Sequence, residues 1–207
     1  MIIRLQAIIP ETAEVQSFIF APEDPLTWQA GQSIRLELPV GYDLHERRFT
    51  IASAPHEGVL RITTRRSDSL FKKALWSLKV GDIVQAFSIE GDFVWKPAPR
   101  YVFLAGGLGI TPFRALLNAP NSKSPIELIH SAKGGHVFAE EFLAKHHAGE
   151  IIYQQLHERI AGSSIPFYGE AHYYIAGPRG MVKAVVAALR SNAIEQHRII
   201  QDVFTGY

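Results

Sequence analysis

Apolar residues alternate with polar ones through the first half of the chain; past residue 100 they run together in short unbroken blocks. The period of the apolar pattern decides which kind of sheet a segment can join, so this change divides the chain. In "SIRLELP", Ile34, Leu36 and Leu38 share one face against Ser33, Arg35 and Glu37. "IIRLQAII" sets Ile3, Leu5, Ala7 and Ile9 against Arg4 and Gln6, with Pro10 ending the stretch, and "VLRITTRR" offers Leu60, Ile62 and Thr64. The turn clusters "APEDPLTW", "PVGYD", "APHEG" and "KVGD" separate them. Strands of this kind bury one face, and their number and spacing predict a small antiparallel barrel or sandwich. One helix interrupts them, "SLFKKALWSL", with Leu70, Phe71, Ala74, Leu75 and Leu78 turned inward and Asp68 or Ser69 available as its cap.

Beyond "WKPAPR", residues 95 to 100, the blocks "YVFLA", "IELIH", "IIYQQL", "HYYIA" and "RIIQDVF" alternate with the helical runs "PFRALLN", "VFAEEFLAKHH" and "PRGMVKAVVAALRSN". Short strands buried on both faces between amphipathic helices predict a parallel sheet. Met181, Val182, Val185, Val186 and Leu189 form the inward stripe of the last helix. Residues 157 to 169 read equally as a short helix or a loop.

The 207 residues suffice for two domains of about a hundred each. A formal charge of +1 gives no global signal for nucleic acid, so any basic site must be local. With no cysteine there can be no disulfide, all-cysteine iron–sulfur cluster or thiol nucleophile on this chain. The nine histidines show no recognised ligand spacing, His146 and His147 being adjacent on an expected exposed helix, so no metal site is expected. A start without a basic leader and the lack of a long apolar run lead us to expect a soluble, cytoplasmic protein with no membrane insertion.

Two glycine turns stand out. In "LAGGLGITPFRALL" a buried strand meets Gly106, Gly107 and Gly109, with Thr111 a candidate helix cap and Pro112 a suitable first helical residue. A helix start offers N–H groups and a positive dipole end to a pyrophosphate, although a tight turn without a ligand would use the same glycines. "YIAGPRGM" repeats the arrangement; two such turns at the carboxyl ends of parallel strands face one crevice, which favours nucleotide binding. In "LHERRFTIASAP", Arg47 and Arg48 lie one step apart on a strand and so point to opposite faces. Either they are solvated, or Arg47 joins Arg65, Arg66 and the helix start at Ser69 around a phosphate group.

These motifs resemble, in order and spacing, those of the ferredoxin–NADP reductase superfamily of flavoproteins. "RRFTIAS" looks like its flavin signature R-x-[YF]-[ST], "AGGLGITP" its nicotinamide-nucleotide loop and "YIAGPRGM" its C-G-P-x-x-M element. "WQAGQSIRLELP" and "SDSLFKKAL" are similar to the barrel segment before the flavin motif and to the helix that receives the flavin pyrophosphate. The resemblance covers nearly the whole chain. It implies an N-terminal antiparallel Greek-key β-barrel binding flavin over residues 1–97, and a C-terminal α/β Rossmann-like parallel sheet binding nicotinamide over residues 98–207.

By the same resemblance the cofactors are FAD, in preference to FMN, and NADPH or NADH. Arg47 would pair with a flavin phosphate, Phe49 pack on the isoalloxazine, and Thr50 direct its hydroxyl to the hydride-accepting nitrogen. Ile51, Ser53, Arg65, Ser69, Leu70 and Phe71 would help hold the flavin. Gly106, Gly107, Gly109, Thr111 and Pro112 would cradle the nicotinamide nucleotide, walled by Gly177, Pro178 and Met181. Ser131 and Lys133, past "IELIH", would meet a ribose phosphate and favour NADPH. Asp202 and Phe204 match an E-x-F-like ending of the superfamily, and Tyr207 matches the terminal aromatic that covers the flavin in part of it; a frayed end with a chance tyrosine is the other reading. Ala176 replaces the usual cysteine and Phe49 the more usual tyrosine.

The implied activity is hydride transfer from NAD(P)H to flavin. Because no cluster domain is present, electrons would pass to a redox protein on a separate chain, such as ferredoxin or flavodoxin. The alternatives are a non-catalytic flavin-binding subunit and a reductase of free flavin or ferric chelates.

Overall fold

The computed structural model describes residues 1–120 and 124–204. Its chain divides into two compact units, Met1–Trp95 with Arg114–Pro120, and Lys96–Phe113 with Asn121–Tyr207.

The first unit is built on β1 (Ile2–Thr12), β2 (Val15–Pro22), β3 (Ser33–Val40), β4 (Asp43–Thr50), β5 (Leu60–Arg65) and β6 (Ile83–Glu90), with helix α1 (Leu70–Ser77) between the last two. The strands are antiparallel in the order β4-β3-β6-β1-β2-β5. A bridge between Ile51 and Ile62, with Ala52 N–H donating to the Arg61 carbonyl at 2.8 Å, ties the continuation of β4 to β5 and closes the barrel. Neighbours β6-β3-β4-β5 form the Greek key, β6 returning beside β3 after the α1 crossover. Helix α1 drives Phe71 and Leu75 into the core formed by Ile34, Leu36, Ile62 and Phe20. Each such side chain stabilises the fold by about 1.5–3 kcal/mol on burial.

Two parts of the alternating pattern need correction. Ile3 and Leu5 are buried as the alternation predicts, but the register shifts between Leu5 and Ala7. A bulge adds a residue and reverses the phase. Ile8 therefore packs against the core, Ile9 is exposed, and the strand continues past Pro10 to Thr12. Leu70, expected on the inward stripe of α1, is 64% exposed. In β5, Arg61 is buried along with Thr63 on the face expected to be wet. Its guanidinium reaches Glu11 at 2.5 Å and Ser17 at 3.1 Å, so the charge is paired rather than solvated.

Helix α2 (Thr111–Asn118) belongs to the first unit from Arg114 onward. The buried Arg114 guanidinium donates to the Ala52 carbonyl at 2.9 Å and to both carboxylate oxygens of Glu57 at 3.1 Å. Glu57 also accepts from the backbone N–H of Ala54 at 2.6 Å. The segment 51–54 that follows β4 is thus pinned by Arg114 of α2 and by Glu57.

The second unit is a parallel sheet of β7 (Tyr101–Gly106), β8 (Ile126–Ser131), β9 (Ile152–Leu156), β10 (His172–Pro178) and β11 (Ile199–Phe204), in the order β11-β10-β7-β8-β9. Every residue of β7 is buried, as a central parallel strand requires. Helix α3 (Ala139–His147) follows β8 and α4 (Arg179–Ser191) follows β10. The former starts later than "VFAEEF" suggests because Phe138 takes a left-handed conformation, φ 62°, with its ring buried against Phe142. Val182, Val185 and Leu189 of α4 are buried, with Met181 and Val186 half-buried beside them. Residues 157–169 form a loop with one short 3-10 turn, Gly162–Ser164, anchored by buried Ile160 and Ile165. The chain leaves β7 toward β8 and β9, then returns to lay β10 on the other side of β7. The strand order reverses there, between β7 and β10.

Candidate functional site

In the first unit the site begins on β4. Arg47 stands opposite Leu36 and Phe49 opposite Ile34, so both lie on the face that carries the barrel core, while Arg48, opposite Arg35, lies on the other. Phe49 sits against Phe71 in the first turn of α1, ring centroids 5.8 Å apart. This contact brings the arginine strand and the helix start together. The Arg47 guanidinium is exposed, and its hydrogen bond among the described residues is to the neighbouring Glu46 carbonyl at 3.1 Å. Ser69 is the N-cap of α1, accepting from Lys72 N–H at 3.2 Å.

Arg65, at the end of β5, has its Nη1 3.5 Å from Glu14, but its Nε is buried with no hydrogen-bond partner. Lys72 is held below the ordinary lysine range, first by burial and then by repulsion from Arg65. Two adjacent cations, one with a buried donor that has no hydrogen-bond partner, suit an anion. A phosphate-bearing cofactor fits this donor set.

The remaining nominated residues of the unit are less accessible. Thr50 is 9% exposed, paired opposite Ser33, and Ile51 is fully buried. Ser53 is also fully buried; its hydroxyl donates to the Val59 carbonyl at 2.6 Å and accepts from Arg61 N–H at 3.0 Å. That side chain closes the turn between the end of β4 and β5.

In the second unit both glycine turns lie at the carboxyl ends of adjacent strands, β7 and β10, where the strand order reverses and open sheets bind ligands. Their glycines serve different needs. A Cβ on Gly109 would overlap the Ala176 carbonyl, and one on Gly106 the Met181 sulfur, so these glycines let the turns pack on each other. Gly107, at φ +55°, has open space around it and is the partly exposed member of the loop. Gly109→Ala is therefore expected to destabilise the protein by about 1–3 kcal/mol, with or without nucleotide. Urea melts of the two forms measure this, and a neutral effect would contradict the close approach.

Thr111 is not a cap. It is the first helical residue after the 3-10 turn Gly107–Ile110, and its hydroxyl donates to the Leu108 carbonyl at 2.9 Å, with Pro112 following inside α2. Pro178 is exposed and Met181 half-buried beside Gly106. A Cβ on Gly177, at φ +149°, would stand only 3.0–3.1 Å from the Gly106 backbone. The Ser131 hydroxyl donates to the Glu158 carbonyl at 2.6 Å, while Lys133 is exposed. Asp202 is half-buried on β11, opposite Ala176. Tyr207 lies outside the described residues.

Sequence reading passed over Lys72, one step past the nominated helix start, and the Arg114–Glu57 pair. It also passed over His130, the last apolar-block residue of "IELIH". This imidazole is fully buried on β8, its Nε2 3.0 Å from the Gly107 carbonyl. Burial pushes its pKa from 6.5 down to about 3. Unfolding therefore takes up a proton between those values. The stability His130 contributes is fully present above about pH 6.5 and is lost as pH falls toward 3. His130→Gln is expected to flatten the acid limb of stability by up to about 1.4 kcal/mol per pH unit in that window. Urea melts at stepped pH measure the slope, and an unchanged slope would show that His130 is already charged there. A cavity of about 260 Å³ lined by Ile129, Ile152, Gln154 and Ile165 includes none of the nominated residues. No described helix is long and apolar enough to cross a membrane.

No family model matches the chain. In sequence it is 30% identical over 223 residues to the flavohemoprotein of Vibrio cholerae, an alignment covering 94% of this chain and 56% of the relative. The chain thus spans about half the length of such relatives. In structure it superposes on the flavohem-like FAD/NAD-binding domain of nitric oxide dioxygenase from Vibrio cholerae with a TM-score of 0.87 at 23% identity, covering 98% of each chain. A ferredoxin NADP+ reductase from Neisseria gonorrhoeae, solved with bound FAD and NADP, gives 0.85 at 18% identity, again covering 98% of each. Likeness at these identities establishes the two-domain fold.

Proposed function

We propose that this chain, which belongs to the ferredoxin–NADP reductase-like flavoprotein superfamily, is an FAD-dependent NAD(P)H oxidoreductase that hands electrons to a separate redox protein. The observation that carries the reading is the orphaned Arg65 Nε beside a half-buried Lys72 whose pKa burial and Arg65 lower, at a helix start abutting Phe49. Residues 1–97 would then form the flavin domain and 98–207 the nicotinamide domain. Arg47, Arg65 and the Ser69–Phe71 turn would hold the flavin phosphates, where a guanidinium fork suits the oxygen geometry. The half-buried Phe49 would pack on the ring system, and Thr50 would present its hydroxyl beside it. Bound flavin supplies acceptance of a hydride and release of electrons singly.

The two glycine turns would position the nicotinamide nucleotide, with Gly107 at the ligand and Gly106, Gly109 and Gly177 keeping the turns in register. Pro178 and Met181 would wall its far side. The exposed Lys133 favours a ribose phosphate, hence NADPH over NADH, with Ser131 engaged by Glu158. Asp202 and Tyr207 would complete the site from the end of the chain.

The cofactor is identified by releasing it from purified protein and separating FAD from FMN. The acceptor is tested by NADPH-dependent rates with ferredoxin, flavodoxin, free flavin and ferric citrate. Fast reduction of ferredoxin or flavodoxin alone supports the protein-acceptor reading. Equal or faster reduction of ferric citrate or free flavin would assign a stand-alone reductase instead.

A further inference from the structure

We propose that His130 is a positioning residue for the dinucleotide: its Nε2–H donates to the Gly107 carbonyl and holds the Gly107–Leu108 peptide in the direction that the 3-10 turn Gly107–Ile110 gives it. This rests on the reading of the glycine turn as a nicotinamide-nucleotide site.

A carbonyl can only accept, so the Nε2 that lies 3.0 Å from it must carry the proton. His130 is fully buried, and burial with the neighbouring His136 keeps the ring neutral, so Nδ1 is bare. The hydroxyl of Tyr153 on β9 faces that Nδ1 at 3.5 Å and itself accepts from Gln155 Nε2 at 3.3 Å. Burial holds the Tyr153 phenol protonated, so its hydrogen is available to Nδ1. His136 secures the same strand end from the other side. Its Nε2 meets the carbonyls of His130 at 3.0 Å and Leu156 at 3.1 Å, and its ring stands edge-on to His130 at 4.9 Å. The tautomer and the place of the imidazole are therefore both set by β8 and β9.

What is fixed matters because Gly107 is the one glycine of its loop that packing does not constrain. Its φ of +55° and the open space around it mean that no side-chain packing sets this residue, so the direction of the following peptide rests on the 3-10 turn Gly107–Ile110 and on His130. In a planar trans peptide the C=O and N–H point in opposite directions. Drawing the Gly107 carbonyl toward His130 on β8 turns the Leu108 N–H away from β8, and β10, where the strand order reverses, lies across β7 from β8. A donor aimed there is preorganised for a pyrophosphate oxygen. With the peptide reversed, an acceptor would face the anion.

The test compares His130→Phe, which keeps a ring and removes the donor, with His130→Gln, whose amide nitrogen can occupy the Nε2 position. Affinity of the flavin-loaded protein for NADP+ and NAD+ is measured by calorimetry, with melting temperature and flavin content recorded alongside. His130→Phe should weaken binding by about tenfold or more, and His130→Gln should recover it to within about threefold. In steady state the loss should appear in KM and leave kcat little changed. Wild-type affinity in His130→Phe, or equal losses in both variants, would overturn the assignment. Independently of either variant's folding, nitrogen NMR of the wild type should show Nε2 protonated and Nδ1 bare from about pH 5 to 8. The opposite tautomer would overturn it. A wild type that binds neither nucleotide would defeat the underlying site reading, whereas normal wild-type binding with an indifferent His130→Phe defeats only the role of His130.

Discussion

Arg47→Ala is expected to lose its flavin during gel filtration under conditions where the wild type retains it, a fall in affinity of about 10–100-fold. That is the range of a charge-assisted hydrogen bond to phosphate, about 1.5–3 kcal/mol. The unloaded variant should melt where the unloaded wild type melts, because the Arg47 side chain is exposed and bonds only its neighbour's backbone among the described residues. Arg48→Ala, on the opposite face of β4, is the control and should keep its flavin. Flavin content per chain, read from absorbance, distinguishes the two. Full occupancy in Arg47→Ala would return that arginine to the solvent.

Glu57→Ala is expected to cost about 3 kcal/mol in urea unfolding. Removing one partner of a buried pair leaves the other charge without compensation. The Arg114 side chain is 8% exposed and that of Glu57 23%, so the figure sits at the lower end of the range for fully buried pairs. The same substitution strips the Ala54 N–H of its acceptor. Because Arg114 also holds the Ala52 carbonyl, flavin affinity should fall together with stability, and Glu57→Gln should lose less of both. A Glu57→Ala variant within about 0.5 kcal/mol of wild type would show the pair to be solvated.

The strands and their two kinds of sheet were legible because burial on one face or on both leaves a period in the sequence. The bulge in β1 was not, since one added residue reverses the phase without altering composition, which is why Ile8 and not Ile9 meets the core. Glycines were legible as turns. The physical reason for each was hidden: Gly109 is required by the Ala176 carbonyl, a contact made 67 residues along the chain. Thr111 looked like a cap because threonine before proline commonly is one, yet a 3-10 turn upstream takes up its hydroxyl. Leu70 fitted a helical stripe but falls in the first turn of α1, where it is exposed. Arg114, Glu57 and His130 escaped notice for one shared reason. Each looks like an ordinary helix, turn or strand-end residue until a partner 23 to 62 residues away is placed beside it.

The proposed function requires that this chain bind a flavin and reduce it with a nicotinamide nucleotide. The visible absorption spectrum of the purified protein, titrated anaerobically with NADPH and then with NADH, measures both at once. The expected result is a bound oxidised-flavin spectrum that bleaches on addition of one of the two, with NADPH the more effective. A protein that holds no flavin after reconstitution, or whose flavin neither nucleotide bleaches, would contradict it.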